Sequence, residues 1–143
     1  MNVRPDRETF RRLAQRGNVV PVWAELVADH ETPVSAFLRL DEGGYSFLLE
    51  SAEHIDEGGR YSFVGSEPHA VFECRDGRYS ITERGATRTF DSASDPLAEL
   101  EAFMARYRLA AEGDLPRFAG GAVGFLAYDA VRFFEPTVGA PPP

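Results

Sequence analysis

Between residues 60 and 90, four short stretches rich in β-branched and aromatic side chains follow one another, separated by little more than turns: Arg60 to Val64, His69 to Cys74, Arg78 to Thr82 and Ala86 to Phe90. Asp76-Gly77 and Arg84-Gly85 separate the last three. Asp-Gly is a strong hairpin signal, because a two-residue type I′ link needs positive φ at both central positions. Strands joined so closely run antiparallel, since a parallel return needs a long crossover. An antiparallel meander is therefore predicted here, within a fold of the α+β class.

Helical periodicity flanks this region. Asp6 can cap a short helix through about Arg16, with Phe10, Leu13 and Ala14 on its inner side and Gly17-Asn18 as the stop. Thr32-Pro33 forms a cap and first-turn pair, Val34, Phe37 and Leu38 share one face, and Gly43-Gly44 closes the segment. Asp95-Pro96 opens a third helix, whose Leu97, Leu100, Phe103, Met104 and Tyr107 recur at spacings of three and four and are predicted to pack across the sheet. Three more strands are expected. Val19 to Ala28 has Pro21 near its start, Tyr45 to Leu49 is apolar enough to be buried on both faces, and Ala119 to Phe134 is apolar on both alternating faces apart from its glycines, Asp129 and Arg132.

Composition narrows the functional classes. Twenty-three acidic against fifteen basic residues leave a net charge of −8, which repels a phosphate backbone and argues against nucleic-acid binding. Arg4, Arg7, Arg11, Arg12 and Arg16 read as a solvated helix face rather than a binding patch. Cys74 is the single cysteine, so no intrachain disulfide is available, and it is expected to pack in the core of a protein from a reducing compartment. His30, His54 and His69 are too scattered for a local metal motif, and no metal site or cofactor is expected in this chain. No run approaches the ~18 apolar residues of a membrane span and no signal-peptide pattern opens the chain, so a soluble, cytoplasmic protein without membrane contact is expected. A length of 143 residues suits one domain, taken as residues 1–135, with 136–143 as a Pro-rich end or truncated linker.

Leu48-Leu49-Glu50-Ser51, followed by Arg60-Tyr61-Ser62-Phe63-Val64-Gly65, is the candidate ligand site. An amino acid needs acceptors for its ammonium group, donors for its carboxylate and an apolar slot for its side chain. Glu50, Ser51 and Arg60 can supply the polar roles. Other motifs carry less. The glycines of Gly120-Gly121-Ala122-Val123-Gly124 do not open a helix, as a phosphate cradle would require. Tyr128-Asp129 lacks a partner group for acid–base work, and Ser51 lies in Glu-Ser-Ala rather than a nucleophile elbow. No catalytic residue is expected.

Three segments in order resemble the anthranilate synthase component I family of chorismate-utilising enzymes: Asp29 to Leu40 (DHETPVSAFLRL), Leu48 to Ser51 (LLES) and Gly120 to Asp129 (GGAVGFLAYD). The resemblance covers about Val20 to Glu135. It implies the amino-terminal, regulatory part of an enzyme that turns chorismate and ammonia, usually from glutamine through a partner amidotransferase subunit, into anthranilate and pyruvate. It also implies feedback inhibition by L-tryptophan, with Ser51 matching the serine that contacts tryptophan; Glu50 and Arg60 are additions from chemistry and proximity. The Mg²⁺ site, the catalytic groups and a Pro-Tyr-Met-like segment completing the effector pocket would belong to a chorismate-binding domain absent here. The fold implied is part of an orthogonal sheet sandwich with two or three packed helices. Two alternatives stay open: an aminodeoxychorismate synthase component I fragment of the folate pathway, and a free-standing amino-acid-binding module.

Overall fold

At the start of each of the three expected helices a side chain satisfies a backbone N–H that would otherwise lack a partner. In the computed structural model, which describes residues 2–50, 61–75, 77–91, 95–135 and 137–138, Asp6 accepts from the Thr9 N–H at 2.9 Å and opens α1, Arg7–Leu13. Thr32 opens α2, Pro33–Leu40, through a reciprocal box: the Ser35 N–H reaches Thr32 Oγ1 at 3.1 Å, and the Thr32 N–H reaches Ser35 Oγ at 2.9 Å. Asp95 accepts from the Leu97 N–H at 2.9 Å and opens α3, Pro96–Met104. The first helix stops short of the expected Arg16, because the Arg16 and Gly17 N–H groups turn back onto the Leu13 carbonyl at 2.8 and 3.2 Å.

The chain divides into two compact units, Met1–His69 with Tyr107–Gly120, and Ala70–Arg106 with Gly121–Pro143. In the first, β1 (Val3–Arg4) pairs antiparallel with β2 (Trp23–Ala24), and β3 (Ser46–Glu50) pairs antiparallel with β4 (Ser62–Ser66). The strand expected from Val19 to Ala28 shrinks to Trp23–Ala24. Pro21 has no N–H to give a ladder, and Val19 pairs elsewhere, forming a parallel bridge with Leu109 in which the Ala110 N–H donates to the Val19 carbonyl at 2.9 Å. Leu13 and Ala110 are the buried apolar residues of this unit among those described. Arg12 and Arg16 both reach the Glu112 carboxylate, at 2.8 and 2.9 Å.

Burial on both faces of Tyr45 to Leu49 does not hold: Ser46 to Leu48 are half-buried, whereas Tyr45, Leu49 and Glu50 are exposed. A strand in a two-stranded sheet has one neighbour and too little cover for both faces.

The second unit contains the meander, but with three strands. β5 (Ala70–Arg75), β6 (Arg78–Glu83) and β7 (Ala86–Asp91) lie in order, and β4 pairs with β3 instead. Arg84 and Gly85 take φ of 50° and 76° between β6 and β7, as the two-residue turn demands. Gly77 has φ 74°, while its partner Asp76 lies outside the described residues. Along β6, alternation puts Tyr79, Ile81 and Glu83 on one face, and that face meets α3 and its exit. Tyr79 donates to Glu99 at 3.1 Å, Arg106 donates to Glu83 at 2.9 Å, and Ile81 is buried. Phe103, on the apolar stripe of α3, is buried beneath the Arg106 guanidinium 4.0 Å above its ring. Tyr79 also stacks between Phe72 and Phe90, with centroids 5.7 and 4.8 Å away. Cys74 is exposed rather than in the core, because β5 passes from half-buried at Ala70 to Phe72 to exposed over its last three residues.

Ala119 to Phe134 does not form the expected strand. Residues 119–127 have no regular structure, and a 3₁₀ turn (Tyr128–Ala130) leads into a short helix, α4 (Val131–Phe134). Gly120 and Gly121 take φ of 143° and 142°, outside the strand region of L-residues. A strand also needs a neighbouring edge for its N–H and C=O groups, and among the described residues none pairs with this stretch. Sheets of two and three strands with helices make the fold α+β. No helix among the described residues is long and apolar enough to cross a membrane.

Candidate functional site

The β3–β4 ladder fixes what lies at the candidate site. Its register pairs Phe47 with Gly65, Leu49 with Phe63 and, at the last rung, Glu50 with Ser62. Directly opposed residues share a face, so Phe47, Leu49, Phe63 and Gly65 form one face, and Leu48, Glu50, Ser62 and Val64 the other. Phe118 packs edge-on against Phe47 and Phe63, with centroids at 6.5 and 5.7 Å, and Tyr61 stacks on Phe63 at 6.4 Å. The hairpin thus carries an aromatic layer on one face and ends in an exposed carboxylate, Glu50, on the other.

Of the three site residues read from the sequence, Glu50 is described and sits on the last rung; Ser51 and Arg60 lie outside the described residues, as does the loop from Ala52 to Gly59. Sequence reasoning missed Arg117, whose guanidinium carbon lies 5.0 Å from the Tyr61 ring centroid. No spacing rule connects Arg117 to Tyr61, and the visible signal was only an Arg-Phe pair just before the glycine run.

At the opposite end of the hairpin, Asp41, Glu42, Gly44, Tyr45, Ser66 and Glu67 line a recess of about 190 Å³. Asp41 there serves the backbone turn, accepting from the Gly43 N–H at 3.2 Å and from Ser46 Oγ at 3.0 Å. Among the described residues no three His, Cys, Asp or Glu side chains converge as metal ligands. His30 and His69 are exposed, and His54 lies outside the described residues. Asp129 is engaged locally, accepting from Arg132 at 3.1 Å.

Nearly the whole chain aligns with known proteins. Over 137 residues, 95% of this chain, 40% are identical to anthranilate synthase component 1 of Aquifex aeolicus. The chain is homologous to part of anthranilate synthase component 1. It is 43% identical over 132 residues to the Pseudomonas aeruginosa protein of that name, and 36% identical over 144 residues to the probable anthranilate synthase component 1 of Schizosaccharomyces pombe. These alignments take in 91% and 99% of this chain. The chain spans about a quarter of the length of these relatives, 28%, 27% and 26% in turn. No family model matches the chain. No solved structure matches it either.

Proposed function

We propose that this chain is the amino-terminal, regulatory part of an anthranilate synthase component I, an enzyme of tryptophan biosynthesis that converts chorismate and an ammonia source to anthranilate and pyruvate. The observation that carries this reading is the 40% identity over 95% of the chain to a protein of that name. On this reading the parent is a cytoplasmic lyase working with a glutamine amidotransferase subunit, and its Mg²⁺ and chorismate are held outside this chain. The 143 residues alone are non-catalytic; neither a nucleophile elbow nor a paired acid and base was found in the sequence.

L-Tryptophan is the effector in this reading, bound at the end of the β3–β4 hairpin with Ser51, Glu50 and Arg60 as its polar contacts. Exposed Glu50 at the last rung supports an acceptor for the ammonium group. Inhibition then requires tryptophan to favour one arrangement of the parent enzyme over another, with a force limited to its differential affinity for the two.

Two measurements test this. Purified chain given chorismate, ammonia and Mg²⁺ should form no anthranilate by fluorescence; turnover would end the non-catalytic reading. In thermal melts, L-tryptophan should raise the midpoint where L-tyrosine and L-leucine do not, and Ser51→Phe should abolish the shift. A ligand at 100 times its dissociation constant adds ~2.7 kcal/mol. Equal shifts with all three amino acids would remove tryptophan as the specific effector.

A further inference from the structure

Like charges set directly across a β-ladder destabilise it. One described rung carries such a pair. At the turn end of the β5–β6 ladder Arg75 lies directly opposite Arg78, which faces Asp91 on its other side. No other directly opposed pair in the described ladders carries two charges of one sign. Opposed residues share a face, and alternation puts the two arginines with Glu73, Ser80 and Thr89, on the face turned away from Tyr79 and Ile81. All five residues line one recess of about 280 Å³.

The donors in this recess are largely uncommitted. Arg12, Arg88 and Arg106 each sit on a carboxylate at 2.8 to 2.9 Å. Arg75 is exposed, and among the described residues no carboxylate takes its donors. Arg78 meets Asp91 only through Nε, at 3.2 Å, in an exposed pair of the kind that contributes little in water. Thr82 and Thr87, further along the same face, bond each other at 2.9 Å, whereas the Ser80 and Thr89 hydroxyls make no such bond among the described residues.

An oxyanion placed over the rung relieves the repulsion, because it accepts from both planar guanidinium forks. The hydroxyls of Ser80 and Thr89 add neutral donors beside it. The net charge of −8 repels a long phosphate backbone, so the fit is a single small group rather than a nucleic acid. Glu73 faces the same recess and opposes an anion there, which gives the site opposite responses to the loss of either charge.

We propose that the Arg75–Arg78 rung is a binding site for the phosphoryl group of a small molecule, with Ser80 and Thr89 as its neutral donors. The site belongs to the β5–β7 sheet and does not depend on the effector reading at the β3–β4 hairpin.

The experiment is a nuclear magnetic resonance titration of the full chain, following the arginine Nε–H signals, with inorganic phosphate against sodium chloride of equal ionic strength. Phosphate should move the Arg75 and Arg78 signals saturably, and chloride should not. Arg75→Gln should weaken phosphate binding about threefold or more, the scale of an exposed ion pair. Glu73→Gln should tighten it, and Arg7→Gln, at an exposed arginine of α1, should leave it unchanged. Should Arg75→Gln fail to fold by circular dichroism, the opposite response of Glu73→Gln carries the test. Shifts that do not saturate, that chloride reproduces, or that persist undiminished in Arg75→Gln would overturn the site. Acetate binding as tightly as phosphate would overturn its assignment to a phosphoryl group.

Discussion

Gly65 lies directly across the ladder from Phe47, and a Cβ built there would run into the Phe47 ring. The ring cannot simply swing aside, because Phe118 meets it edge-on with centroids 6.5 Å apart. Gly65→Ala is therefore expected to destabilise the chain by about 1–3 kcal/mol, the usual cost of overpacking. Urea melts of Gly65→Ala, Phe47→Leu and the double variant check this. The double variant should recover part of the loss in a mutant cycle, since the smaller side chain makes room. A neutral Gly65→Ala, or strictly additive losses, would show that the close approach does not matter. The same contact explains a glycine inside a strand, where it otherwise weakens the ladder.

Elements whose signals are local were legible in the sequence. Asp6, Thr32-Pro33 and Asp95-Pro96 each open a helix where expected, and Arg84-Gly85 makes the β6–β7 turn. Whatever depends on a distant partner was not. Nothing near Val19 announces that it will bridge Leu109, nothing near β4 says that it pairs with β3 instead of β5, and a run apolar on both faces at Ala119 to Phe134 cannot reveal whether an edge awaits it. The candidate site divides in the same way. Glu50 could be read from its own strand end, whereas Arg117 reaches Tyr61 only through the fold.

A hydrogen bond from Tyr79 to Glu99 at 3.1 Å ties α3 to β6. Burial raises the Tyr79 pKa first, and the hydrogen bond donated to Glu99 raises it further, because both favour the neutral phenol. A group whose folded pKa lies above its unfolded value contributes stability that is full below the ordinary tyrosine value, ~10, and is lost as pH rises through the folded one. In an ultraviolet difference titration against Tyr79→Phe, this phenol should ionise above that ordinary value, and Glu99→Gln should lower it. Ionisation at or below the ordinary value would break the tie between helix and sheet.

Across the whole molecule, apolar surface is the dominant unsatisfied quantity. Phe125 and Tyr128 are each 92% exposed and Val27 90%, while the buried apolar residues among those described are Leu13, Ile81, Phe103 and Ala110. Single exposed side chains are ordinary on any protein, but Phe125, Leu126 and Tyr128 fall together in one segment that has no sheet partner among the described residues. Contiguous apolar surface of this kind seeks cover, from another copy if nothing else is offered. The isolated chain is therefore expected to self-associate and bind an apolar dye, with a melting midpoint that rises with protein concentration. Phe125→Asp with Tyr128→Asp should lower both the association and the dye signal without unfolding either meander strands or α3, because neither side chain belongs to the buried set. Sedimentation and melts over a wide concentration range separate the outcomes. A sharp, concentration-independent transition of a monomer would mean that the exposed segment is accommodated by the chain itself, and would remove the argument that it awaits a partner surface.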